Sequence, residues 1–239
     1  MPSFTESFFL EKKKLKLKNP VLVVGLPGVG FVSKMAVDNL VKEEKAEKIA
    51  TLYSPHFPNQ VLALKSGKLK PFTMRFYLKK LKSRDVVFLR GDLQPLTVEG
   101  QYEVSSKVLE YFNSIGGKDV ISMAGYAVSK PGQNQTIYGY STSLQTLKTF
   151  SKLGVKQSEF VVPIVGMAGL LPTLSKAFGL NGTCLLVETT GVAIDANGSK
   201  QLITLLGKWL GQKFSSASVE NRAKKAQKLL QRIEAQARR

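Results

Sequence analysis

Short apolar runs alternate along this chain with longer stretches in which apolar residues return every three or four positions. Val21–Val24, Asp85–Arg90, Asp119–Ala124, Phe160–Val165 and Thr183–Glu188 are runs of the length and composition of buried strands. Phe72, Met74, Phe76 and Leu78 alternate with Thr73, Arg75 and Tyr77, the period of a half-exposed strand. Ile49–Tyr53 and Val61–Leu64 predict short strands on either side of Pro55–Asn59, where two prolines forbid regular structure. Lys12–Lys18 alternates as a polar edge strand would.

Helical spacing falls between these runs. It covers Phe31–Lys45 through Phe31, Met35, Leu40 and Val41, then Val98–Ile115 through Val104, Val108, Leu109 and Phe112. Thr97 can cap the second of these and Gly116-Gly117 can stop it. Ser141–Leu153, ended by Gly154, Leu171–Phe178, and Ser199–Leu210 with Leu202, Leu205, Leu206 and Trp209 follow. Gly125 should close the strand before it, and Ser129–Tyr140, rich in turn residues, reads as a loop or excursion. Strands taking turns with helices predict an α/β fold with a mainly parallel sheet sandwiched between helices.

Three glycine-built joints stand where these strands should hand over to helices: Gly25-Leu26-Pro27-Gly28-Val29-Gly30, Gly91-Asp92-Leu93-Gln94-Pro95 and Gly166-Met167-Ala168-Gly169-Leu170-Leu171. Glycine allows close backbone approach, so the working edge of the sheet is expected in these loops.

The last stretch has a different period. Val219, Ala223, Ala226, Leu230, Ile233 and Ala237 form an unbroken a/d heptad track. A coiled-coil seam and a helix packed on its own domain explain it equally, since periods of 3.5 and 3.6 do not separate over so short a length. The division expected is an α/β domain over residues 1–212 and a basic C-terminal helix over 213–239.

Charge changes the picture more than composition does. The chain carries a formal +18, of which Glu11–Lys18 supplies four, Lys65–Arg84 eight without a single acid, and Val219–Arg239 five. Charge placed in this way suits an acidic partner surface, whether protein, RNA, DNA or anionic lipid; solvated lysine-rich faces are the plainer explanation. One cysteine, Cys184, sits within the apolar run Thr183–Val187 and reads as a small core residue of a protein from a reducing compartment. A start without a charged region followed by an apolar stretch, and apolar runs broken by Gly, Pro and Lys, predict a cytoplasmic protein with no membrane span.

Candidate chemistry is sparse. Gly25–Gly30 invites a phosphate-cradling reading, but Phe31 and Val32 stand where a Lys and a Ser or Thr should follow, and Lys34 comes three places late. The dinucleotide fingerprint fails at Ser33, where a small Gly or Ala should close it. His56 is the only histidine, no Gly-x-Ser-x-Gly elbow offers it a partner, and zinc sites of several His or Cys ligands are excluded by count. Asp92, Glu99, Glu188 and Asp195 form no close acidic pair for magnesium; Asp92, at a strand end, is the acid to watch, with turn capping its plainer role. Aromatic and basic residues mix in Phe72–Tyr77 as a single-strand-binding sheet requires, although no RNA-recognition motif is present.

Taken in order, the first joint with Val21–Val24, Gly91–Pro95 with Gly100-Gln101-Tyr102, Gly125-Tyr126, Tyr138-Gly139 and Gly166–Leu171 resemble the proteasome assembly chaperones, in particular the family of the second eukaryotic chaperone and its archaeal relatives. The resemblance covers roughly residues 20–212. It implies a fold similar to purine nucleoside phosphorylase used as a protein-binding scaffold, self-assembly into homo-oligomers, and help to 20S proteasome α-subunits in forming rings. Some archaeal members dock through a C-terminal hydrophobic–tyrosine–any tripeptide, which Ala237-Arg238-Arg239 does not match.

The reading reached is a non-catalytic scaffold with no cofactor or metal, binding proteasome α-subunits or the assembled 20S particle. Its contacts are expected at Leu26, Pro27, Gly28, Gly30, Asp92, Gln94, Pro95, Tyr102, Val219, Leu230 and Ile233. Two alternatives stay open. One is a basic RNA- or ribosome-associated protein, and the other is an enzyme on a phosphorylase-like fold, either a nucleoside-processing enzyme or the ATP-dependent carboxylate–amine ligase whose label parts of the family have carried. The triphosphate loop and clustered carboxylates of such a ligase are not evident in this sequence.

Overall fold

Val21, Leu22, Val23 and Val24 are all buried, although alternate residues of a strand face opposite ways. That run therefore needs a cover on each side of the sheet, and the fold supplies both. The computed structural model describes residues 5–11, 15–159 and 161–237, with side chains to residue 228. Its strands are Phe8–Glu11 (β1), Val21–Gly25 (β2), Glu47–Tyr53 (β3), Val61–Ala63 (β4), Leu69–Pro71 (β5), Met74–Lys80 (β6), Asp85–Gly91 (β7), Asp119–Ala127 (β8), Ile137–Ser141 (β9) and Asn181–Thr189 (β10). Its α-helices are Val32–Glu43 (α1), Val98–Ser114 (α2), Leu144–Lys152 (α3), Met167–Leu174 (α4), Ala196–Leu210 (α5) and Val219–Ala237 (α6).

Eight strands form one sheet in the order β1-β3-β6-β7-β2-β8-β10-β9. The centre, β7-β2-β8-β10, is parallel. Antiparallel pairings extend it through β6, β3 and β1 on one side and through β9 on the other. Leu22 and Val24 join Phe76, Leu109, Phe112 and Leu171 in a core beneath α2 and α4. Val21 and Val23 join Val37, Leu40, Phe150 and Leu206 in a second core beneath α1, α3 and α5. Each such side chain contributes roughly 1.5–3 kcal/mol through burial, which is why nearly continuous apolar strands lie at the centre.

The expected helix ends are in place. Thr97 accepts from the Gly100 N–H at 3.0 Å, and Gly116 follows α2 with φ of 88°. Several expectations need correction. Phe160–Val165 forms no strand over its described residues, 161–165, because no neighbouring strand offers it a ladder. The excursion expected over Ser129–Tyr140 ends in a strand, β9, whose apolar and aromatic residues pair with β10. Gly125 does not end β8, which runs on to Ala127 beside the equally long β10. The alternating stretch at Lys12–Lys18 falls partly outside the described residues; its described part, 15–18, is not a strand, and the edge strand is β1, just before it. Val61–Leu64 supplies β4, but β4 pairs only with β5 in a separate exposed ribbon.

The N-terminal half of α6 packs on the domain. Val219 is fully buried and Ala223 nearly so. Asn39 Nδ2 donates to the Ser215 carbonyl at 2.7 Å, and Ser218 Oγ lies 2.7 Å from both Asn39 Oδ1 and Glu43 Oε1. Leu230 and Ile233 lie on α6 beyond the described side chains.

Candidate functional site

Adjacent strands β2 and β7 send their helices to opposite faces of the sheet, α1 to one and α2 to the other. The carboxyl ends of such strands open a crevice where α/β folds place their sites. The three joints meet there, and one side chain connects them. Gln94, from the second joint, donates through Nε2 to the Pro27 carbonyl of the first at 2.7 Å. Its Oε1 accepts from the Met167 N–H of the third at 3.0 Å. Ser33 Oγ donates to the Leu26 carbonyl at 2.8 Å, and Ser122 Oγ, from β8, donates to the Ala168 carbonyl at 2.5 Å.

Close packing explains the glycines. A Cβ on Gly91 would strike the Leu26 side chain, and one on Gly125 would strike the Val29 carbonyl. Gly30 has φ of 63° and packs against Thr189; Phe31 follows it in the same left-handed region with φ of 53°, an unusual conformation for an aromatic residue. The first joint is thus a formed ledge between β8 and α1. A cleft of about 310 Å³ lies beside it, lined by Pro27–Val29, Gln94, Gly125–Ala127, Pro163–Val165 and Ala168.

The polar groups named by the sequence are engaged within the protein. Asp92 accepts ion pairs from Arg75 at 3.0 Å and Lys70 at 3.2 Å. Burial pushes its carboxyl up, but the two cations outweigh burial and hold it below the usual carboxylate value. Lys34 pairs with Asp38 at 2.8 Å, and burial pulls its ammonium below the ordinary lysine value despite that partner. Asp195 caps α5 by accepting from the Gly198 N–H at 2.8 Å. Burial pushes the Cys184 thiol up to about 11, so it packs as a hydrophobe. His56 lies against Gly100, away from these groups. Among the described residues no group of three or more His, Cys, Asp or Glu is placed to hold a metal, and no helix is long and apolar enough to cross a membrane.

The basic stretch over Lys65–Arg84 divides in two. Lys70, Arg75, Lys79 and Arg84 are paired with Asp92, Glu44 and Asp119. Of the aromatic half of the single-strand-binding pattern, Phe76 is fully buried and meets Tyr111 and Phe9 edge-on, while Phe72 and Tyr77 are half-buried against the two cores. Phe76 therefore offers no face to a base.

Of the residues named as contacts, Pro27, Gly28 and Gln94 line the cleft with some exposure and Tyr102 is exposed in the first turns of α2, whereas Leu26, Gly30 and Pro95 are buried. Val219 is in the core, away from the joints. Val29, within the first joint, is exposed as well, and sequence reasoning missed the other exposed aliphatics: Leu96, Val98, Val161, Val165 and Val192 all stand out from loops or helix starts. For Val29, Val161, Val165 and Val192 the signal was a lack of charge. Residues 25–33, 120–129, 160–175 and 189–194 carry none, in a chain of +18.

Residues 22–234 match the family described as PAC2. The crystal structure of PbaB from Pyrococcus furiosus, described as an archaeal proteasome activator, is similar with a TM-score of 0.85 and 30% identity, over 96% of this chain and 99% of that one. PbaA from the same organism, described as an archaeal homolog of proteasome-assembly chaperone, is similar with a TM-score of 0.79 and 26% identity, over 98% of this chain and 100% of that one. An uncharacterized protein of Methanocaldococcus jannaschii, MJ1210, is 30% identical over 91% of this chain and 84% of its own length.

Proposed function

The chain belongs to the PAC2 family, and from that premise we propose that it is a non-catalytic scaffold that binds 20S proteasome α-subunits, self-assembles and works in the cytoplasm. The observation that carries this reading is the division of labour at the rim. Asp92 and Lys34, the groups best placed for chemistry, are engaged in ion pairs. Aliphatic side chains just after the second joint face solvent, with Leu96 at 73% and Val98 at 68% exposure. An exposed apolar patch with a polar surround is the mark of a protein-binding surface.

Binding of this kind needs a shaped surface with a few apolar anchors, while charge governs approach. Gln94, Gly30, Gly91 and Gly125 hold the ledge in one conformation; Pro27, Gly28 and Val29 are presented on it, and Leu96 and Tyr102 are exposed beyond the second joint. A surface fixed before contact pays little ordering entropy on binding. The basic helix α6 and the ribbon of β4 and β5, with Lys65 and Lys68 at its turn, steer acidic partners. The descriptions of PbaB and PbaA as a proteasome activator and an assembly-chaperone homolog support the choice of partner.

The test is native mass spectrometry of the full chain with purified α-subunits of the proteasome from its own source. A defined complex, weakened by Leu96→Glu with Tyr102→Ala, is the expected result. Absence of any complex overturns the choice of partner.

A further inference from the structure

Every residue from Val61 to Leu69 is exposed, although Val61, Leu62, Leu64 and Leu69 are large aliphatics. They belong to the ribbon of β4 and β5, whose register sorts its side chains. Val61 stands opposite Pro71, Ala63 opposite Leu69, and Leu62 opposite Lys70. Opposed residues share a face and successive ones change it, so Val61, Ala63, Leu69 and Pro71 make one face with no polar side chain. Leu62 and Lys70 belong to the other. Lys70 reaches back to Asp92 at 3.2 Å, which turns its own face toward the domain and the apolar face away. Leu69 at 72% and Val61 at 56% are accordingly more open than Leu62 at 42%. At the tip, Gly67 takes the left-handed conformation with φ of 75° and donates to the Leu64 carbonyl at 2.9 Å, between the exposed Lys65 and Lys68.

We infer that this ribbon is a docking arm: its outward face of Val61, Ala63, Leu69 and Pro71 seats in an apolar groove of a partner protein, and Lys65 and Lys68 meet carboxylates on the rim of that groove. This rests on the partner reading above, and it assigns the ribbon a bound surface where that reading gave it only a steering charge.

Charge and composition select an acidic protein as the occupant. A second copy is disfavoured, because the chain is +18 and residues 54–84 contain no acid to answer the lysines of another ribbon. A lipid-inserting hairpin carries aromatic residues at the membrane interface, and residues 59–71 contain none. A nucleic-acid strand stacks on aromatic rings, so it would leave these aliphatics in water. Strand addition is opposed by Pro71, Lys68 and Lys70 along β5, which leaves the face of the ribbon and not its edge as the contact. An acidic-rimmed apolar groove answers both the aliphatic face and the lysines at the tip.

The arm is also held ready. The Asp92 N–H donates to the Thr73 carbonyl at 3.2 Å, and the Leu96 N–H to the His56 carbonyl at 3.4 Å, so the chain on both sides of the ribbon is tied to the second joint. Leu96 and Val98, exposed just after that joint, rise from the same stem. An arm oriented before contact loses less freedom on binding.

Titration calorimetry of the full chain with purified proteasome α-subunits tests this by comparing the wild type with Val61→Ser/Leu69→Ser, Leu62→Ser and Lys65→Glu/Lys68→Glu. All five positions are exposed, so circular dichroism should be unchanged. The outward-face variant should bind about 10-fold or more weakly, and Leu62→Ser within about threefold of the wild type. The charge reversal should also weaken binding about 10-fold or more and flatten its dependence on salt.

If the wild type forms no complex, the partner reading falls and takes this inference with it. If a complex forms but the outward-face variant binds no worse than Leu62→Ser, or the charge reversal changes neither affinity nor salt dependence, the inference alone is overturned. Phosphatidylserine vesicles that capture the wild type but not the outward-face variant, while both bind the subunits equally, would hand the face to a membrane and overturn it as well.

Discussion

Gln94 holds the Pro27 carbonyl at 2.7 Å and the Met167 N–H at 3.0 Å, so that one amide bridges the loops following β2 and β7 and the start of α4. Glutamine is suited to this position because it offers a donor and an acceptor on one planar group. Gln94→Leu removes both, and a loss of about 1–3 kcal/mol in urea unfolding is expected, with faster amide exchange at residues 25–31 and 166–168. Gln94→Glu keeps the acceptor for Met167 but places a carboxylate against the Pro27 carbonyl, so exchange should quicken more at the first loop than at the third.

Gly125 and Gly28 give a paired test of the ledge. A Cβ on Gly125 would strike the Val29 carbonyl, whereas one on Gly28 would meet nothing within 4 Å, and the φ of Gly28, −169°, is open to any residue. Gly125→Ala should cost about 1–3 kcal/mol and weaken partner binding as the ledge is pushed outward. Gly28→Ala should change stability by less than about 0.5 kcal/mol. Thermal unfolding and a binding titration of both variants check this.

Asp92 makes stability depend on acid. Its folded carboxyl titrates below the usual value because Arg75 and Lys70 outweigh burial. Its contribution is therefore complete above the ordinary carboxylate range and is lost as pH falls through the lower, folded value. Asp92→Asn should be destabilised by about 1–3 kcal/mol at neutral pH. That difference should stay level down to the ordinary carboxylate range and then shrink. Urea unfolding of both proteins across acid pH reads it directly.

The anchor of α6 predicts where the chain tolerates shortening. Val219 is fully buried, and Asn39 donates to the Ser215 carbonyl. Ending the chain after Gly211 strips both and uncovers the core between α1 and α5; Val219→Ala alone should cost about 1–3 kcal/mol. Ending it after Lys228 keeps both, so the melting temperature should hold. Calorimetry of the two truncations separates the anchor from the rest of the helix.

Much of this architecture could be read from period and punctuation. Val21–Val24, Asp85–Arg90 and the Thr97-capped helix are specified locally, by burial on both faces and by a side chain that bonds its own backbone. The antiparallel flanks were harder, because β9 lies among turn residues and becomes a strand only where β10 offers it a partner. Residues 161–165 show the converse: strand chemistry is present in the sequence, but among the described residues no strand offers them a ladder. The role of Gln94 was invisible for a related reason, since its two partners lie 67 and 73 residues away. The glycines announced the joints but not what fastened them.

The central claim, a fixed platform that binds proteasome α-subunits, is tested most directly by native mass spectrometry of this chain with those subunits, run beside Gln94→Leu and Gly125→Ala. A stoichiometric complex with the wild type that weakens in both variants, while each remains folded, is the predicted result. No complex with the wild type, or complexes indifferent to both substitutions, would contradict it.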